Sequence, residues 1–380
     1  MDRLQKNNKS VGEMEFLRFV FSIIIVLHHS RNFVGNKSSL FLNGAFAVEF
    51  FFILSGFLMM KSIRKIQTDS QNLGAETARF IKKKYLSLCP DMIISWIIGA
   101  VATAVVCRYS VDAIGTMLRG GIWELGLLTM TGIRTSTLNG AVWYLSSMLL
   151  CMAILYPLLR KYKTIAERVM IPLITFLILG YFAVQTNSIR LPFGWAGFTY
   201  RGNLRAFADL GVGVILYQIT EVFKEKRLTV FSKVLLTIIK YAGVASLVAY
   251  MYFIRKPTIQ DDLFHILVIM LVIGLVFSNQ TYVARLFNNG FFRFLGKFSL
   301  PLYLSHYYWA NILKVGLPDS FDKTKATAIY LMLSVGTAAV VMALSALIKT
   351  CKPFSGIKPL FVKEAPAELI CVEDVSDALK

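Results

Sequence analysis

Charge is what this chain has least of. Asp, Glu, Lys and Arg make up 17% of its 380 residues, against 56% hydrophobic residues, and the mean hydropathy is +0.59. Soluble globular chains carry about 25% charged residues, so the composition excludes that class. The five cysteines, Cys89, Cys107, Cys151, Cys351 and Cys371, form no CxxC pair and have no histidine at ligand spacing. That argues against a disulfide framework and against a zinc site, and no metal is expected. The sequence also has no internal repeat, no low-complexity tract and no linker able to separate two domains. The first apolar run lacks a small-residue cleavage site after it and holds Arg18 within it, so it reads as a retained helix rather than a signal peptide.

What is there is a series of apolar runs, several of them long enough to cross about 30 Å of hydrocarbon as helices. Ten spans are expected, over 14–31, 44–60, 85–107, 141–159, 169–186, 203–221, 234–254, 262–279, 298–313 and 326–348. The predicted fold class is therefore all-α, a polytopic membrane protein of about ten transmembrane helices. Residues 1–350 form its single transmembrane domain, and 351–380 a short cytoplasmic tail. A net charge of +19 in a soluble domain would point to nucleic acid, but here topology accounts for it and no nucleic-acid partner is expected. With the N-terminus inside, the inner segments hold roughly twice the Lys and Arg of the outer loops, which orients the chain N-in and C-in in a plasma (inner) membrane. The stretch at 108–140 is apolar but too short and glycine-broken to span comfortably, and reads as an outer-interface or re-entrant piece covering a cavity.

Against this apolar background the polar residues stand out. In "FLRFVFSIIIVLHHS" (16–30), His29 comes eleven positions after Arg18, about three helical turns, so both lie on nearly one face and ~16 Å apart along the axis. His28 points roughly 80° away. Glu49 early in the second span, Trp143 and Ser146 in the fourth, Arg205 and Asp209 in the sixth, and His306 in the ninth all fall at the outer-half depth of His29. Each has an ordinary explanation. Arg18 can snorkel to the headgroups, Glu49 can sit in interfacial water, Trp143 can belong to the aromatic belt, Arg205 and Asp209 can pair with each other four apart, and His306 can be a hydrogen-bonded core histidine. Polar groups from five helices at one depth nevertheless describe a site.

Five motifs, in order from about residue 14 to 315, resemble those of the acyltransferase type 3 family of integral-membrane enzymes. They are Arg18 followed by ten residues and His29, "GAFAVEFFFILSGFLM" at 44–59, "FIKKKYLSLCP" at 80–90, "WYLSSMLL" at 143–150 and "FLGKFSLPLYLSH" at 294–306. Ser87 and Met148 depart from residues found in some members. The resemblance implies acyl-CoA, most simply acetyl-CoA, as donor, with no bound cofactor, and a hydroxyl of a surface polysaccharide or lipid-linked saccharide as acceptor. It implies His29 as base or acyl carrier, with Glu49 orienting it if Glu49 faces the first span. Arg18 would hold donor phosphate with help from Lys82, Lys83 and Lys84, and Trp143, Ser146, Arg205, Asp209 and His306 would support the acceptor side. Trp143, Tyr144, Trp195 and Tyr200 are possible sugar platforms near the outer face, or simply belt aromatics in contact with membrane lipid. Two alternatives have a different chemistry: a flippase or carrier for a polyprenyl-linked glycan, which usually shows internal repeats and broken helices, and a glycan polymerase, which wants a long outer loop.

Overall fold

The computed structural model describes residues 11–35, 40–68, 70–133, 138–318 and 320–350. The expected tail at 351–380 lies outside the described residues. The helices are α1 (Val11–His29), α2 (Arg31–Val34), α3 (Ala47–Ile63), α4 (Leu73–Val106), α5 (Val111–Leu125), α6 (Trp143–Ile165), α7 (Ile171–Gln185), α8 (Arg201–Lys224), α9 (Val230–Phe253), α10 (Ile259–Phe277), α11 (Gly290–Gly316) and α12 (Lys323–Thr350). The only strands among the described residues are the two-residue β1 (Trp195–Ala196) and β2 (Thr199–Tyr200), an antiparallel pair in the loop before α8. This is an all-α polytopic membrane protein.

Eight stretches among the described residues are long and apolar enough to cross a membrane. One of them, Gly140–Gln185, is 46 residues long and contains both α6 and α7. They meet where Lys163 leaves helical geometry (φ 37°, ψ −112°) and Ala166–Met170 forms a π-turn, the kind of irregularity that bends a helix sharply. The stretch at 160–168, expected as an inner loop, is thus mostly helical. α11 has the length for a span, but its lysines and polar residues dilute its apolar character; it packs against α1, α4 and α12. Helices therefore stand at all ten expected positions, the 15-residue α7 as the continuation of α6 past the π-turn.

One boundary is well off. The third span was expected to start at 85, yet α4 runs 34 residues, about 51 Å, from a cap in which Asn72 Oδ1 accepts from the Ala75 amide at 2.9 Å. Its first turns carry Lys82–Lys84 on a helix rather than a loop. Along the same helix Glu76 takes 2.6 Å and 2.7 Å hydrogen bonds from Arg160 Nε and Tyr156 Oη of α6. The amphipathic α5, 15 residues or about 22 Å long, is too short to span. Trp96 Nε1 and the Leu138 amide donate to its Glu124, which ties it to α4 and to the start of the chain into α6.

Burial grades the helices. The windows of α9 and α12 are 28% buried and that of α3 is 72% buried, so α3 is central and those two are peripheral. α3 lies directly on α8. A Cβ on Gly56 would fall 2.1 Å from Leu210 O, and one on Gly213 would fall 2.2 Å from Ile53 O. The two backbones touch with no side-chain layer between them, as small residues permit in membrane helix pairs.

Candidate functional site

His29 ends α1 and His306 lies in the middle of α11. Their nitrogens meet, with His306 Nε2 3.2 Å from His29 Nδ1. His29 Nδ1 is also 2.9 Å from Ile25 O, and His306 Nδ1 is 2.6 Å from Tyr303 O. Carbonyl oxygens only accept, so these contacts assign the proton to Nδ1 on both rings. In the neutral state each Nε2 then holds a lone pair. That of His306 accepts from His29, whereas Nε2 of His29 has no hydrogen bond among the described residues and is available as a base. The Tyr307 ring stands edge-on to His29 at 5.2 Å, and Arg31, just past the helix end, lies within electrostatic reach of both His29 and Tyr307. His28, off the stripe as expected, is buried and bonds through Nδ1 to Phe41 O at 2.9 Å.

A line of phenols leads from this pair toward the other end of α1. The Tyr303 ring is 5.6 Å from His306 and 5.9 Å from the Tyr144 ring of α6, and Tyr144 Oη is 3.4 Å from Ser55 Oγ of α3. Arg18 is within electrostatic reach of Tyr144 and of Lys84. Of the three consecutive lysines Lys84 alone is partly buried, its Nζ 6.0 Å from the Phe80 ring, while Lys82 and Lys83 are exposed. Arg18 itself donates to Glu15 Oε2 at 2.7 Å, a partner that the sequence reading did not foresee.

Glu49 lies at the expected depth, but the condition for its role beside His29, that it face the first span, is not met. Its carboxylate is paired with Arg205 of α8 and makes no bond with His29. Helical depth fixes how far down a residue lies and says nothing of which neighbour it faces; Gly56, seven residues after Glu49 and therefore on its face, packs on α8 and turns Glu49 that way. Arg205 also donates to Ala45 O at 3.1 Å, and its guanidinium sits 5.4 Å from the centre of the Trp143 ring. Trp143 is buried among these groups and is not a belt residue. Arg205 pairs with Glu49 rather than with Asp209 four residues on. Asp209 is within electrostatic reach of both, but its Oδ2 has no hydrogen bond.

Two further members were missed. Asp262, at the start of α10, accepts 2.5 Å from Tyr250 Oη and pairs with Arg190, which also donates to Tyr250 Oη at 2.8 Å. An aspartate opening an apolar run was the available signal; beside Asp261, which caps that helix, it passes for another capping residue. Ser146 does not face the histidines. Its hydroxyl donates to Leu127 O at 2.7 Å and accepts from the Met130 amide at 3.1 Å, pinning the turn between α5 and α6. Trp195 and Tyr200 stack edge-on at the β1–β2 hairpin, with Trp195 half exposed.

The polar residues thus form two adjoining groups, a histidine–phenol line on α1, α6 and α11 and a charged cluster on α3, α8 and α10 with Arg190. Trp143, stacked on Arg205, stands beside Tyr144 where the two groups join. A lone-pair nitrogen at one end of a polar line and a cation at the other is an arrangement for activating a hydroxyl and holding an anionic donor.

No curated protein and no solved structure matches the chain. A family model described as "Acyltransferase domain" matches residues 11–346, nearly the whole chain, and so takes in both groups. This protein belongs to that family of membrane acyltransferases.

Proposed function

We propose that the protein takes an acyl group, acetyl in the expected case, from cytoplasmic acyl-CoA and passes it to a hydroxyl of an extracytoplasmic or lipid-linked glycan. The observation that carries this reading is α1 itself. Its one face has Arg18 near the donor side and His29, with an unengaged Nε2, about 16 Å away. Arg18 and Lys84 suit the phosphates of CoA. Its pantetheine arm is long enough to follow the line of Tyr144 and Tyr303 and deliver a thioester to His29.

In the transfer His29 Nε2 takes the proton of the acceptor hydroxyl as its oxygen attacks the thioester carbon. The C–S bond then breaks, and the departing CoA sulfur recovers that proton from His29. The carbonyl oxygen becomes negative in between, and Arg31 and Tyr307 beside His29 supply a positive charge and a donor for it. Trp143 lies against Arg205 and Phe52 rather than open to a ring, so it supports the site through packing. The more exposed Trp195 and Tyr200 are better placed to meet a sugar.

The test is radiolabelled acetyl-CoA supplied to inside-out membrane vesicles. An acyltransferase of this kind moves label into glycan. A flippase or a polymerase leaves it in CoA, and that outcome refutes the proposal.

A further inference from the structure

We propose that His306 is the positioning residue of the transfer reaction, filling with a neutral imidazole the place that a carboxylate occupies in a serine-hydrolase triad. The inference rests on the reading of His29 as the base. A general base must present the correct nitrogen, and a ring with two nitrogens does so only if something holds the proton on the other one. Here two acceptors lie around His29 Nδ1, Ile25 O at 2.9 Å and His306 Nε2 at 3.2 Å. Ile25 is on the same helix one turn back, and its carbonyl fixes the tautomer. His306 comes from another helix and is a second acceptor for the same Nδ1–H, so it ties the ring of His29 to α11 as well as to its own helix.

His306 is itself well held. It is fully buried, and its Nδ1 is engaged by Tyr303 O at 2.6 Å, which forces its lone pair onto the nitrogen facing His29. Tyr303 is anchored in turn, its hydroxyl donating to Ala141 O at 2.6 Å. A chain of contacts therefore runs from the start of α6 through Tyr303 and His306 of α11 to His29. The residue expected in this role, Glu49, is bound to Arg205, and no carboxylate among the described residues is bonded to His29. When His29 gains a proton at Nε2 in the reaction, Nδ1–H continues to donate to His306, and the pair shares the charge without a buried anion that would need its own partner.

The experiment compares His306→Leu and His306→Gln in membranes, with acetyl-CoA as the varied substrate and host-cell membranes as acceptor. Gln places an acceptor oxygen close to the position of Nε2; Leu keeps bulk and removes the acceptor. His306→Leu should lower kcat on the order of 10- to 100-fold with KM for acetyl-CoA unchanged, as loss of an orienting partner does elsewhere. His306→Gln should regain most of the loss. A purely structural histidine would instead lower the amount of folded protein and give no selective rescue by Gln. The rate at which diethylpyrocarbonate labels His29, followed by mass spectrometry, gives a readout independent of turnover and should change in His306→Leu but not in His306→Gln. Wild-type kcat in His306→Leu, or equal losses in both variants, overturns the inference. If His29→Ala itself retains transfer, it is the parent reading that fails.

Discussion

Replacing Arg205 by Met strands a buried carboxylate, and the cost follows from what surrounds it. Arg205 and Glu49 are 2% and 0% exposed as side chains, so neither can turn to water when its partner is lost. Removing one member of a buried ion pair costs about 3–5 kcal/mol, because the remaining charge stays desolvated. Ala45 O loses its donor at the same time, and Trp143 loses the cation on its face. Arg205→Met should therefore cost about 4 kcal/mol. Adding Glu49→Leu removes the stranded charge and should restore roughly 3 kcal/mol of that. The remainder of about 1 kcal/mol reflects the lost contact with Ala45 O and the loss of the cation near Asp209. The assay is thermal unfolding of purified protein in detergent, where about 4 kcal/mol in a chain of this size lowers Tm on the order of 5 °C. The single variant should show the full drop, the double variant only a fraction of it. Equal Tm for the two would refute the reasoning, since it would mean that the carboxylate was not what Arg205 stabilised.

Three shorter predictions follow from other contacts. Glu15→Gln removes the anion now bonded to Arg18 and should lower KM for acyl-CoA several-fold without changing kcat, read from initial rates; a raised KM would mean that Glu15 orients Arg18 for the donor. His29→Ala should reduce transfer by at least ~10²-fold at normal protein level, whereas His28→Ala, which loses the bond to Phe41 O, should reduce the amount of folded protein more than its specific activity. Gly213→Ala should lower Tm by the equivalent of about 1–3 kcal/mol, because its Cβ meets Ile53 O, while Gly180→Ala, with open space around it, should be neutral or slightly stabilising.

Much of the architecture can be read in the sequence because a bilayer allows few solutions. A long apolar run must be a helix, and helices lie over all ten expected runs. Boundaries failed where helices continue past the apolar run, as α4 does over Lys82–Lys84, since hydropathy reports the solvent and not the hydrogen-bonding pattern. The site residues were legible as a depth. Which residues bond was not, because rotation about each helix axis is set by packing. Glu49 illustrates both halves: it lies in the buried layer as expected, and the Gly56–Leu210 contact turns it toward Arg205. The His29–His306 contact was hidden for the same reason, the partners being 277 positions apart in the sequence. Arg190 comes from a loop and has no periodicity to betray it.

The bare contact between α3 and α8 also constrains how the protein can work as a machine. Sliding two helices past each other needs a layer of side chains that can change rotamer as they move, and at Gly56 and Gly213 there is none. The pair is a stator: the helix bearing Glu49 and the helix bearing Arg205 travel together or not at all. A carrier that alternates between two faces must break its central contacts in every cycle. A protein built round a fixed seam keeps its frame still, so in the proposed reaction it is the reach of a flexible donor, rather than a stroke of the protein, that would cross the membrane.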